Sequence, residues 1–363
     1  MAVSRIDEAG LNVTQYGNRN LVINGAMTIS QRATSVTGVT ETNGYKTVDR
    51  FQFWTYSGGT YSLSQDSTAP SGFGYSHKVS NTATTSTVAG TGVSFRQRIE
   101  AQNLQQLAYN TADAKDVTLS FWVRSTATGT WAVRIYNPDS GRIVTKTYAI
   151  SSANTWEYKS ITFSGDTSGA INNDTGYAFE IVWWLAAGTD FTSGTPTGDW
   201  ETYSATKEAS GQTVQLNTGG DWYITGVQLE VGDTATGFEH RSYGDELARC
   251  QRYFTKIYAK GSVQAYNCFP FTGYCRSTTL CQITIHWNQR MRAVPTMSYS
   301  GASDFGVVDS TGSTRAVSAI NTSRTTDEAC VAELTASSLG AGNGTRLLAN
   351  NTADPFIIVD AEL

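Results

Sequence analysis

From residue 20 to residue 241 the chain reads as one short alternating run after another, with almost no helical periodicity between them. Runs at 20–30, 49–56, 60–65, 75–80, 93–100, 117–125, 131–137, 144–150, 155–164, 176–186 and 221–231 have strand length. They are separated by turn formers such as Ser57-Gly58-Gly59, Pro70-Ser71-Gly72, Asn137-Pro138-Asp139-Ser140-Gly141, Gly165-Asp166 and Gly219-Gly220. Many short strands at regular spacing predict a β-sandwich. Two stretches depart from this rhythm. Leu104, Leu107 and Ala108 predict one or two helical turns within 101–112. Residues 187–220 form a Gly/Thr/Ser-rich insertion too long for a hairpin, and such insertions are functional loops or interfaces.

Side chains alternate between the two faces of a strand. The apolar sets are Phe51 and Phe53; Phe95 and Ile99; Val117, Leu119, Phe121 and Val123; Trp131, Val133 and Ile135; and Tyr177, Phe179, Ile181, Trp183 and Leu185. The opposite faces carry Trp54, Arg96, Arg98, Trp122, Arg124, Arg134, Tyr136, Glu180 and Trp184. A solvated sheet face calls for Thr, Lys and Ser rather than three tryptophans. Flat rings stack on the C–H face of a pyranose, and Arg and Glu bond its hydroxyls. These nine residues are the candidate glycan-binding surface. The competing expectation places the same rings under the 187–220 insertion or against a sister subunit, where Trp and Arg are also enriched.

Composition narrows the class. Charged residues are 16% of the chain and hydrophobic residues 39%, with the balance in small polar residues and 34 Gly; aromatics are nonetheless 11%, which sets it apart from disordered chains. A net charge of −5 without a basic run argues against nucleic acid. No apolar stretch is long enough to span a bilayer, and the Met1 end shows no apolar signal region.

Residues 243–258 predict a helix with Leu247, Cys250, Phe254 and Ile257 on one stripe, opened by a Ser242/Asp245 capping box. That stripe either packs on a neighbouring β domain or lines a threefold axis. Residues 259–363 return to strands at 262–269, 278–287, 291–300, 305–309, 314–320, 328–337, 345–349 and 355–361. The reading is therefore all-β: an arm at 1–19, a jelly-roll sandwich at 20–241, a linker helix at 242–258 and a smaller C-terminal β-sandwich at 259–363. All five cysteines (Cys250, Cys268, Cys275, Cys281, Cys330) lie in the last third, in no zinc-like spacing. They are expected to be reduced and buried, with a Cys268–Cys281 or Cys268–Cys275 bridge as the alternative. His77, His240 and His286 are scattered, and neither a G-x-S-x-G elbow nor a nucleotide loop is present, so no catalytic residue is assigned.

Several segments resemble known families. Asn20-Leu21-Val22-Ile23-Asn24-Gly25 and Trp222-Tyr223-Ile224-Thr225-Gly226-Val227-Gln228-Leu229-Glu230 resemble the opening and closing strands of carbohydrate-binding-module jelly rolls. Ser242 through Phe254, Met291-Arg292-Ala293-Val294-Pro295-Thr296-Met297 and the final strand Phe356 through Leu363 resemble segments of tail-fibre and receptor-binding proteins of tailed phages. The first resemblance implies a structural calcium near Asn24, Asp221 and Glu230, with no other cofactor required. The second implies a homotrimeric virion protein, assembled in the host cytoplasm, that binds host surface polysaccharide and joins other virion proteins through its N-terminal arm. It implies neither membrane insertion nor nucleic acid. A non-catalytic structural virion protein and a glycan depolymerase, whose paired carboxylates would stand about 5–9 Å apart, remain the alternatives.

Overall fold

The computed structural model describes residues 18–57, 59–83, 87–259, 267–352 and 354–363. The chain divides into two compact units: one ends at Glu246 and also takes in Leu363, and the other is Leu247–Glu362. The expected arm at 1–19 lies, apart from its last two residues, outside the described residues, as does most of the first strand expected after residue 259.

Thirteen strands are described in the first unit: β1 (Ser35–Val39), β2 (Thr42–Tyr45), β3 (Phe51–Tyr56), β4 (Thr60–Asp66), β5 (Ser76–Ala83), β6 (Gly92–Glu100), β7 (Val117–Ser125), β8 (Gly129–Asn137), β9 (Arg142–Ile150), β10 (Glu157–Phe163), β11 (Tyr177–Ala187), β12 (Glu201–Thr202) and β13 (Asp221–Val231). Sheet one orders them β1-β4-β5-β13-β7-β10, and sheet two β12-β9-β8-β11-β6-β3-β2. Every pairing is antiparallel. The two sheets close on one apolar layer, as expected for a jelly-roll sandwich. The inward sets of β3, β6, β7, β8 and β11 meet there, including Phe53, Phe95, Phe121, Trp131 and Trp183, all buried. Tyr177 is the exception. A bulge between Tyr177 and Phe179 turns its ring outward, where the Arg98 guanidinium lies 4.4 Å from the ring centre. The short helix expected near residue 104 is a 3-10 helix, Ala101–Leu107, with Leu104 and Leu107 buried.

The run at 20–30 was expected to open the sandwich as a strand; it does not form one. Asn24 (φ 63°) and Met27 (φ 58°) adopt left-handed backbone, which interrupts an extended run. Asn24 holds the turn: its Nδ2 donates to the carbonyls of Ile29 (2.8 Å) and Asp49 (3.0 Å), and its Oδ1 accepts from the Ile29 amide (2.9 Å). The segment still touches β13, because Leu21 N donates to Leu229 O and Val227 N donates to Gly25 O.

His77 on β5 points into the core, stacked on Phe95 with ring centres 4.4 Å apart, and lies 3.0 Å from Thr47 Oγ1. Burial drives its pKa down to about 3. A folded value below the unfolded one, near 6.5, means the unfolded chain takes up the proton first. Stability is therefore full above about pH 6.5 and lost as pH falls toward 3, by about 1.4 kcal/mol per pH unit for this one group. Urea titrations followed by tryptophan fluorescence should show that slope between pH 6 and 4, and His77→Gln should flatten it. An unchanged slope in the variant would assign the acid sensitivity elsewhere.

After a first short helix, α1 (Thr189–Thr192), helix α2 (Tyr243–Gln251) takes one half of the expected capping box: the Asp245 amide donates to Ser242 Oγ, while Asp245 Oδ2 accepts from the Ser242 hydroxyl at 2.7 Å rather than from its backbone N–H. It ends at Gln251, short of the expected residue 258. Ten strands are described in the second unit: β14 (Phe254–Tyr258), β15 (Cys268–Cys275), β16 (Leu280–His286), β17 (Thr296–Tyr299), β18 (Phe305–Val308), β19 (Thr314–Ala316), β20 (Ala319–Thr325), β21 (Ala329–Thr335), β22 (Gly344–Ala349) and β23 (Phe356–Asp360). They form the sheets β14-β23-β17 and β19-β18-β22-β15-β16-β21-β20 around a second apolar core. Phe254 and Ile257 belong to β14, so Leu247, Cys250, Phe254 and Ile257 do not make one helical stripe; Cys250 and Phe254 are buried within the chain.

Candidate functional site

The nine aromatic and charged residues expected on one surface are split between two. Trp54, Arg96, Arg98, Arg134, Tyr136, Glu180 and Trp184 lie on sheet two, on neighbouring strands β3, β6, β11 and β8. Trp122 and Arg124 lie on β7, in sheet one, whose outer face is the opposite side of the sandwich. Strand periodicity told inside from outside for these strands except at the bulged Tyr177, but it carries no record of which sheet a strand joins.

The sheet-two group is largely covered. Residues 188–216, with α1 (Thr189–Thr192) and β12, return over that face. Trp184 is fully buried there among Val182, Ala132, Ala187 and Ala209, with Phe191 from the insertion 4.9 Å from its ring centre and Trp54 5.9 Å away. The charges are also consumed internally. Glu180 receives Arg98 Nε at 2.8 Å and Arg134 Nη2 at 2.8 Å, with Arg96 Nη1 at 3.9 Å; Arg134 Nε reaches Glu208 of the insertion at 3.0 Å, and Tyr203 donates to that carboxylate at 2.6 Å. Burial by itself would raise the Glu180 pKa, but the flanking guanidiniums of Arg134, Arg96 and Arg98 hold it down at about 2. Arg96 lies over the Trp54 ring at 4.7 Å and Arg134 over Tyr136 at 5.5 Å. This face is a packed ionic layer beneath a strap, with only Trp54, Arg98 and Tyr136 half-buried at its margins.

Sheet one keeps an open aromatic cleft. Trp122 pairs across the ladder with Tyr158 on β10, their ring centres 5.4 Å apart, and Tyr158 is 45% exposed. The cleft holds about 470 Å3, within the range of about 300–1,000 Å3 usual for small-ligand sites, and is lined by Phe73, Ser120, Trp122, Tyr158, Thr236, Phe238 and His240 with the backbone of Gly226 and Gly237. Phe73, Phe238 and His240 pack together with ring centres 4.8–5.2 Å apart. The floor depends on a bulge in β13 between Thr225 and Gln228. Gly226 there has φ 62°, and a Cβ on it would stand 2.7 Å from the Phe73 ring and 3.1 Å from Trp122. Only glycine lets both rings close over this backbone. The wall bearing Phe238 is tied back by Glu230, which accepts from Thr236 N (2.9 Å), Thr236 Oγ1 (2.6 Å) and Gln228 Nε2 (2.9 Å). Along the same face Tyr223 is flanked by Arg124 at 5.1 Å, Lys78 at 5.2 Å and the Trp156 ring at 6.1 Å. Trp122 and Arg124 were identified from sequence, whereas Phe73, Trp156, Tyr158, Tyr223, Phe238 and His240 were not. Tyr158 follows from the alternation of β10; Phe73, Phe238 and His240 sit in irregular connecting segments, where no period reveals them.

The three residues expected near a calcium do not converge. Asp221 and Glu230 sit at opposite ends of β13, nine residues and about 30 Å apart at strand rise. Asp221 bonds Lys78 (3.0 Å) and Ser80 (2.6 Å), Glu230 holds Thr236, and Asn24 is occupied by its own turn. Among the described residues no group of three or more His, Cys, Asp or Glu is placed to hold a metal.

No family model and no curated protein matches the chain. Among solved structures, the chain is similar to a putative sugar binding protein from Bacteroides thetaiotaomicron (11% identity, TM-score 0.34, covering 59% of this chain and 100% of that one). It is also similar to the family 11 carbohydrate-binding module of a Clostridium thermocellum cellulase (13% identity, TM-score 0.29, 56% and 99%). A third is the enzymatically active domain of tailspike protein 4 of bacteriophage CBA120 (17% identity, TM-score 0.30, 58% of this chain), of which the match spans 21%.

Proposed function

We propose that this is a non-catalytic adhesin of a phage virion that binds neutral host-surface glycan in the sheet-one cleft. The carrying observation is the open cleft in which Trp122 and Tyr158 stand as neighbouring rings, faced by Phe73 and Phe238, on a wet face of the sandwich. Flat apolar rings suit the C–H faces of pyranoses, and the exposed His240 on the cleft wall offers ring nitrogens to hydroxyls. Among the described residues no carboxylate or ammonium lines the cleft, which favours uncharged sugar. The virion assignment and a homotrimeric state rest on the resemblance of the Ser242–Phe254 and Met291–Met297 segments to phage fibre proteins. Each ring contributes about 0.5–1.5 kcal/mol, so one site binds weakly and adhesion draws on several copies.

The test is titration of host polysaccharide by affinity electrophoresis. Trp122→Ala and Tyr158→Ala should each weaken binding roughly 3- to 10-fold with unchanged thermal stability, and polysaccharide length should not fall on incubation. Full binding by the double variant would refute this site. Lys78, Arg124, Trp156 and Tyr223 on the same face also fit a protein contact. Loss of virion assembly with glycan binding intact would favour that structural role.

A further inference from the structure

The second unit places two of its thiols face to face. In the β15–β16 hairpin Cys275 stands directly opposite Cys281. The backbone of Cys275 is turned the other way: its amide donates to Asn343 O at 2.8 Å and its carbonyl accepts from Gly342 N at 2.7 Å. Cys275 and Cys281 are therefore a non-hydrogen-bonded antiparallel pair, the kind in which Cα atoms approach to about 4.5 Å and side chains come closest. That separation falls inside the range of about 4.4–6.8 Å that disulfides span. Both side chains point into the apolar core and are fully buried, with their sulfurs 2.8 Å apart. The other cysteines are not so placed. Cys268 is exposed at the far end of β15, about 23 Å from Cys275 at strand rise, and opposite Leu348; Cys330 lies opposite Ile285 and Cys250 lies in α2. The bridges to Cys268 that stood as the alternative to reduced, buried cysteines are thus geometrically closed, Cys268 itself is exposed rather than buried, and a different pair is open.

We propose that Cys275 and Cys281 are an oxidation site that forms an intrachain disulfide, stapling the β15–β16 hairpin, when the protein meets a small-molecule disulfide. One thiolate attacks a sulfur of oxidised glutathione and releases a glutathione thiolate. The second thiolate then attacks the protein sulfur of the mixed disulfide and releases the other glutathione. Two protein thiols are oxidised to one disulfide, one glutathione disulfide is reduced to two glutathione thiols, and protons balance. Burial and the adjacent Cys275 thiol push the Cys281 thiol up, so the first attack proceeds from an opened hairpin.

The test uses the full chain, incubated with oxidised glutathione both in native buffer and during refolding from urea, where access does not limit the reaction. Denaturation, alkylation and mass measurement then count free thiols, and cleavage after Arg276 puts the two cysteines on separate peptides. The expected result is alkylation of all five cysteines before oxidation and protection of Cys275 and Cys281 after it, recovered as one cross-linked peptide pair, with the oxidised form melting several degrees higher. Cys275→Ser should abolish the cross-linked pair and leave Cys281 alkylated. Full alkylation of both cysteines after oxidative refolding, or linkage of either to Cys268, would overturn the assignment.

Discussion

Glu180→Ala is expected to lower the stability of the first unit by about 3–5 kcal/mol, the usual cost of removing one partner from a buried ion pair. The carboxylate is the shared acceptor of Arg98 and Arg134 and lies beside Arg96, and all four residues sit on the covered face of sheet two. Without it three guanidiniums crowd one another, with Arg134 keeping Glu208 and Arg98 keeping the Leu363 oxygen as acceptors. Part of the effect should reproduce in acid. Because the folded pKa, about 2, lies below the unfolded value near 4.3, the stabilisation is complete above about pH 4.3 and disappears as pH falls through 2. Urea unfolding at pH 7 reads the variant directly. A loss below about 1 kcal/mol would mean that water enters this layer and screens it as it would a surface pair.

Trp184→Ala should be comparably damaging, about 3–5 kcal/mol, and for a different reason. It removes a fully buried indole from between sheet two and the returning insertion, leaving Phe191 and Trp54 without their shared partner. The insertion would lose its main apolar anchor, so proteolysis between residues 188 and 216 should accelerate. Glycan binding by the folded fraction should persist, since the sheet-one cleft lies on the other side of the sandwich. Loss of binding in a variant that melts like the parent would return the site to sheet two. The contrast with Trp122→Ala separates an indole that holds the fold from one that is open to a ligand.

What the sequence made legible was the inner layer. Phe51, Phe53, Phe95, Phe121, Trp131, Ile181 and Trp183 all point into the core, as period-two alternation requires. The outer surfaces were harder because they depend on long-range pairing. β7 joins sheet one through β13, nearly a hundred residues later, so Trp122 and Trp184 look alike in sequence and end on opposite sides. For Trp184 the competing expectation, burial under the 187–220 insertion, is the one met, but the Gly/Thr/Ser composition of that insertion shows no apolar period to single out Phe191 as the cover. The α2 boundary failed for a local reason. The spacing of Phe254 and Ile257 continues a helical stripe, yet Phe254-Thr255-Lys256-Ile257-Tyr258 is also a good strand sequence, and pairing with β23 decided it. The Asn20–Gly25 block failed because a left-handed asparagine leaves no trace in hydropathy.

The outermost strands of sheet two are β12, with two residues, and β2, with four. The β2 rim offers a neighbouring polypeptide only a brief edge, too short to template ladder growth, whereas β12 pairs with just Arg142 and Ile143 of the nine-residue β9. Copies of this protein crowded together thus find little backbone to zip along the β2 rim. Association there must be written in side chains, so its specificity can be retuned by point substitution.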